Sequence, residues 1–114
     1  MLESTLKSEV INVLDMYIAR IRPAENIRDK LDVGYKIVDK SVFIIEIRPL
    51  FNDPDRKLEL EMAKATFIKT SNQWKIFWLR SSGKWESYQP QPVVTSIEGV
   101  VEVIEKDELG CFWG

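Results

Sequence analysis

At Pro23 the spacing of apolar residues switches from a helical period to a period of two, and it does not switch back until Thr95. That change confines the chain to an antiparallel sheet with a helix before it and a helix after it. Ahead of Pro23, Leu6, Val10, Val13, Leu14, Tyr17, Ile18 and Ile21 lay one apolar stripe along residues 4–21. The spacing predicts an amphipathic helix that Ser4 or Thr5 can cap. Pro23 ends it, because the residue before a proline avoids the helical region. Pro23 to Lys30 reads as a connector with room for one helical turn.

Within the two-residue region, Val33, Tyr35 and Ile37 alternate with Asp32, Gly34 and Lys36, and Asp39-Lys40 makes a tight turn. The run Val42–Arg48 is richly β-branched and stops at Pro49. A two-residue turn puts Val33, Tyr35 and Ile37 on one face with Glu46, Ile44 and Val42, and sets Gly34 opposite Ile45 on the other. Residues 49–57 hold two prolines and Asn-Asp turn chemistry, and read as a loop. Further strands are expected near 58–69, 73–80 and 84–88, split by Ser71-Asn72 and by Ser81-Ser82-Gly83; Pro90 and Pro92 end the sheet. Thr95 and Glu98 form a capping box ahead of Ile97, Val100, Val101 and Ile104. The expected fold is α+β: an N-terminal helix, a five-stranded antiparallel meander and a C-terminal helix, one domain over residues 1–114.

Short turns gather Ala63, Ala65 and Phe67 with Trp74, Ile76, Trp78, Arg80 and Trp85 on one face. Lys64, Thr66, Ile68, Lys75, Phe77, Leu79, Glu86 and Tyr88 fall on the other. Strands apolar on both sides want cover on both sides, so the pattern predicts one helix per face, or a dimer.

Composition prunes the chemistry. The chain has no histidine, the usual general base near neutral pH and a leading ligand for zinc and redox metals. Ser-His-Asp and Cys-His catalysis within the chain are therefore excluded, and no metal or other cofactor is expected. Its five glycines form neither a P-loop nor a GxGxxG turn. A formal charge of −2 offers no global field for a polyanion. Cys111 is the only cysteine, which suits a reducing, cytoplasmic setting. Glu3, Lys7, Glu9 and Asp15 break up the region where a signal peptide would need an apolar stretch, and the longest apolar run, Val42 to Ile45, is far too short to span a membrane.

The motifs Glu46-Ile-Arg-Pro49, Ala63-Lys64, Trp74-Lys-Ile-Phe-Trp78, Lys84-Trp85-Glu-Ser-Tyr88-Gln-Pro90 and Gly110-Cys-Phe-Trp-Gly114 follow one another in this order. On them, residues 20–114 resemble an uncharacterised bacterial family, domain of unknown function 3024. The resemblance implies no activity. Glu86 departs from it, because histidine is expected there in many members; any catalytic role of that histidine is closed to this chain.

Three groups of residues merit a functional reading. The five letters Gly110–Gly114 are similar to the motif around the catalytic cysteine of A-type peptide methionine sulfoxide reductases. In those enzymes the motif opens a domain that supplies the rest of the site, and here no residues follow Gly114. The expectation is a C-terminal plug, with a packed thiol beside Phe112 and Trp113. Met62 to Trp85 holds Lys64, Lys69, Lys75, Arg80 and Lys84 with no acid, interleaved with Phe67, Trp74, Phe77, Trp78 and Trp85. Such a mixture can stack bases and hold phosphates, but strand alternation is expected to scatter the charges and send most rings into the core. Lastly, Glu46, Arg48, Lys64 and Tyr88 are polar groups in apolar strands. Glu46 and Arg48 share a face and suit a ligand carboxylate or amide, or else an ion pair such as Glu46 with Lys64 or Arg48 with Asp32.

The preferred reading is a non-enzymatic interaction domain that presents the mixed sheet face and the 49–57 segment to a protein partner or to a second copy. The candidate binding residues are Glu46, Arg48, Lys64, Lys75, Arg80, Trp85 and Tyr88. The alternative is a nucleic-acid-binding module using Lys64, Lys75, Arg80 and Lys84. A third is a histidine-free enzyme working through Glu46, Lys64 and Tyr88. No membrane association is expected.

Overall fold

The computed structural model describes all 114 residues. Helix α1 runs Ser4–Ile21 and β1 Asp32–Val38; β2 (Ser41–Leu50), β3 (Asp53–Ile68), β4 (Gln73–Leu79) and β5 (Trp85–Ser87) follow, then a short β6 (Val93–Val94) and α2 (Ile97–Lys106). The strands β1 to β5 lie side by side in sequence order, all neighbours antiparallel, and β6 also pairs with β4. The architecture is α+β, as the periodicity predicts. Neither helix is long and apolar enough to cross a membrane.

The caps sit one residue from their expected places. Glu3, not Ser4 or Thr5, caps α1, its carboxylate accepting from the Thr5 and Leu6 amides at 2.8 and 3.0 Å. An anion at a helix N-terminus also meets the positive end of the helix dipole. Ser96, not Thr95, caps α2 by accepting from Gly99 N–H at 3.0 Å. A single 3-10 turn, Glu25–Ile27, occupies the connector.

Three larger expectations are overturned. First, residues 49–57 are not a loop. β2 and β3 continue as a two-stranded ribbon past Pro49, which pairs with Lys57, to a turn at Phe51-Asn52. β1 is paired only as far as Ile47, so Pro49 lies where β2 has a single neighbour, and β4 stops short of Pro54. A proline costs a sheet nothing where its missing N–H faces no strand. Second, Pro90 and Pro92 do not end the sheet, since Val93 and Val94 pair with Lys75 and Trp74. Third, the helices do not take one face each.

Both helices pack on the same side. Val10, Leu14 and Tyr17 of α1 and Ile97, Val100, Val101 and Ile104 of α2 share one core with Val42, Ile44, Ala63, Ala65, Trp74 and Ile76. Ala63 and Ala65 are fully buried, and their small side chains let the helices approach the sheet beside the Trp74 indole. The last residues close this core: Phe112 is buried with its ring 4.8 Å from that of Tyr88, and Trp113 packs alongside. Asp107 ends α2 in the left-handed conformation (φ 43°), and its carboxylate accepts from the Phe112 and Trp113 amides at 3.0 and 2.9 Å. The plug expected of Gly110–Gly114 is what the structure shows.

β3 carries two irregularities against β2, one near the ribbon tip, where pairing passes from Pro49↔Lys57 to Leu50↔Asp53, and one in mid-strand. Its register with β2 jumps from Ile44↔Ala63 to Ile45↔Glu61, leaving Met62 as an extra residue, a β-bulge. The jump fixes the ribbon's faces. Glu59 and Glu61 lie with Ile45 and Ile47 on the side away from the helices, while Leu58 and Leu60 lie with Glu46 and Arg48 on the helix side.

Candidate functional site

The side of the sheet away from the helices has no second layer. Register alone draws a row across five strands on it: Lys36, Phe43, Lys64, Phe77 and Ser87. Trp85 joins this face because it pairs with Leu79, in phase with Phe77. That corrects the expectation that Trp85 belongs with Trp74 and Trp78. Glu86 pairs with Trp78 instead, and Tyr88 is buried in the core, so both lie on the helix side rather than opposite it.

Phe43 on β2 and Trp85 on β5 lean towards each other over the two strands between them, and their rings meet edge to face at 6.0 Å. Strands in a flat sheet are about 4.8 Å apart, so the two residues start about 14 Å from one another. Closing that gap roofs the middle of the face. Beneath and beside the roof, the Lys64 ammonium stands 5.7 Å from the Phe43 ring centre, 5.4 Å from Phe77 and 5.8 Å from Trp85. These distances fall within the reach of cation–π attraction. Lys64 has no carboxylate partner. Ile45 is 3% exposed, yet it stands outside the main core cluster, on the face no helix covers.

Charge is mixed on this face. Lys36 lies 5.5 Å from the Phe43 ring and pairs with Glu61 at 3.2 Å and, more loosely, with Glu59 at 3.9 Å. Lys75 is exposed and paired in register with Thr66. Arg80, one residue past β4, is not part of this face: it is in phase with Trp78 and sits 3.7 Å from Glu86 on the helix side.

The other candidate residues do not assemble around Lys64. Glu46 and Arg48 lie on the helix side of the ribbon and bind each other, the Arg48 guanidinium holding Glu46 Oε1 through Nε and Nη2 at 2.7 Å. The expected pairs Glu46–Lys64 and Arg48–Asp32 are absent, and Asp32 takes a bidentate bond from Arg22 at 2.7 and 2.8 Å. That bond, with help from the Val33 amide, holds the Asp32 carboxyl below its usual range. Tyr88 is buried and its hydroxyl has no hydrogen-bond partner; burial pushes its pKa up. Glu46 on the ribbon, Lys64 on the uncovered face and Tyr88 in the core therefore stand apart, and the acid–base constellation expected of them is not built.

Cys111 is half-buried, and desolvation, reinforced by Asp107 and Glu86, raises its pKa. A thiol held protonated is a poor nucleophile. The basic-aromatic stretch splits as expected except at Trp85. Trp74, Trp78 and Phe67 serve the core, but Phe77 and Trp85 share the uncovered face with Lys64 and Lys75. Phe43, which sequence reasoning never singled out, completes the patch. Its signal was present: alternation from Val42 and Ile44 places it on the far face, beside Lys36 and Lys64.

Fold and face together define a two-layer α+β protein with two helices behind the sheet and an aromatic, lysine-centred patch in front. The chain belongs to the family described as domain of unknown function (DUF3024), whose model matches residues 2–114. No curated protein and no solved structure matches it.

Proposed function

We propose that this chain is a non-enzymatic binding domain whose partner docks on the uncovered sheet face around Lys64, Phe43, Phe77 and Trp85. The observation that supports this is the half-buried aromatic patch on the side that neither helix covers. Clustered aromatic and aliphatic side chains left without a second layer are typical of interaction surfaces. A protein partner, a second copy of this chain included, suits the face because it carries both signs: Lys36, Lys64 and Lys75 against Glu59 and Glu61. A single cysteine with no disulfide partner fits work in the reducing cytoplasm.

Capture from cell extract with matched variants tests this. Trp85→Ala, which strips the roof, is expected to release a partner that the wild type holds, whereas Met16→Ala on the outer surface of α1 retains it. Equal retention by folded Trp85→Ala protein removes the uncovered face as the docking surface.

A second reading, single-stranded nucleic acid, has one observation in its favour. Lys64 and Lys75 share a face with three rings, and rings with cations beside them stack bases and hold phosphates. An anisotropy titration of labelled single-stranded RNA and DNA at two salt concentrations decides it. Affinity that falls steeply with salt supports this reading, and no binding at low salt ends it.

A further inference from the structure

The sheet has a second unpartnered feature, independent of what docks on its face. β3 is 16 residues long, but β4 pairs only with Lys64 to Ile68. From Pro54 to Glu61 the edge of β3 away from β2 has no strand beside it, and residues 54–60 are all exposed. Leu58 and Leu60 are 43% and 39% exposed on the ribbon's helix side, beyond the reach of either helix. A long free edge with exposed leucines is a template for another strand.

We propose that two copies of this chain pair antiparallel along this edge, with the two-fold axis passing through Glu59. Charged residues on an edge normally deter pairing, and Arg56, Lys57, Glu59 and Glu61 would do so against a random strand. Their order matters for a symmetric one. With Glu59 at the centre, Lys57 of each copy faces Glu61 of the other, twice, and Leu58 faces Leu60, twice. The neighbouring registers are worse. Centring on Leu58 sets Lys57 against Glu59 but cancels that gain by setting Asp55 against Glu61; centring on Leu60 sets Glu59 against Glu61; centring on Lys57 sets Asp55 against Glu59 and Lys57 against itself. In the chosen register only Glu59 meets its own copy, and each Glu59 has Lys36 of its own chain 3.9 Å away. Pairing would draw Lys57 from its bond to the Asp29 carbonyl and Glu61 from its half-exposed ion pair with Lys36, a contact of little worth. The outer edge of β1 offers less, because its Asp32 is already held by Arg22. An axis perpendicular to the sheet sets the two uncovered faces side by side on one surface.

The register makes the test sharp. In a Cys111→Ser background, Glu59→Cys is expected to form a disulfide-linked dimer on mild oxidation, because directly opposed residues in paired strands lie within disulfide reach. Gly34→Cys at the centre of β1 is expected to stay monomeric. Two charge variants add a check that does not depend on crosslinking. Lys57→Glu and Glu61→Lys each set like charges face to face, and each alone is expected to dimerise about tenfold more weakly than the wild type. Mixed, they restore both attractive pairs, so the mixture is expected to dimerise as the wild type does. Circular dichroism confirms that each variant is folded. The proposal is overturned by a wild type monomeric at its highest soluble concentration, by crosslinking through Gly34→Cys rather than Glu59→Cys, or by a mixture no tighter than its parts.

Discussion

The two faces of the sheet are built from the same strands and are both rich in apolar residues, yet one is covered by two helices and the other by its own side chains. Charge accounts for the difference. On the helix side, the region beneath α1 and α2 presents Val42, Ile44, Ala63, Ala65, Trp74 and Ile76, with no charged residue among them. On the other side Lys36, Lys64 and Lys75 occupy the matching positions. A helix laid over those lysines would strand ammonium groups away from water, which costs more than the apolar contacts would return. Long side chains reach a compromise: the Lys64 ammonium stands beside the rings of Phe43 and Trp85, which are half-buried with no helix above them.

The contrast can be broken by substitution. Ile76→Ala on the helix side is expected to cost about 2–5 kcal/mol in denaturant unfolding, because the cavity it leaves is walled by two layers. Ala65→Leu, which overfills the same side, is expected to cost about 1–3 kcal/mol by pushing the helices off the sheet. Phe77→Ala, one residue from Ile76 but on the uncovered face, is expected to lose only about 1 kcal/mol, since solvent and neighbouring rings can fill its place. If Phe77→Ala proved as costly as Ile76→Ala, the uncovered face would be core rather than surface.

Titration sharpens the picture at the sheet margin. Asp32 is held below its usual range by Arg22, so its contribution to stability is present above the unfolded carboxyl value, about 4, and is lost as pH falls through the folded one. Asp32→Asn is expected to flatten that acid limb in a pH series of thermal melts. Tyr35 is pushed up to about 12, first by burial and then by the bond its hydroxyl donates to Asp15 at 2.6 Å. Its stabilising effect is complete below the unfolded value near 10 and disappears as pH rises towards 12. Tyr35→Phe is expected to remove that alkaline dependence, the smallest of these effects and visible only as a change in the slope of the melting temperature above pH 10 or so.

Much of this was legible in the sequence. The span of α1 and the β1–β2 register follow from spacing and a two-residue turn, and both stand as read. What escaped was phase. Arg80 N–H donates to Lys84 C=O across the β4–β5 turn, which pairs Leu79 with Trp85 and moves Trp85 to the uncovered face. One residue in a turn decides the face of every residue after it, and no local preference fixed that number. The ribbon at 49–57 was misread because proline looks like a breaker until its neighbours are known. The candidate site was legible in part: Lys64, Lys75 and Trp85 were singled out and do share a face, whereas Glu46, Arg48 and Tyr88 point elsewhere.

The bulge at Met62 was visible too, in apolar residues at 58, 60 and 62 that give way to 63, 65 and 67. Its consequence concerns which chain lengths this fold accepts. Excising Met62 would join Ala63, opposite Ile44, directly to Glu61, opposite Ile45, so the ladder would run unbroken with each remaining side chain still pointing the way it does now. Losing a residue farther from the bulge would turn the stretch between it and Met62 inside out. The middle of the longest strand thus carries a removable link, and a relative shortened between Leu58 and Phe67 is expected to lack a residue at this bulge.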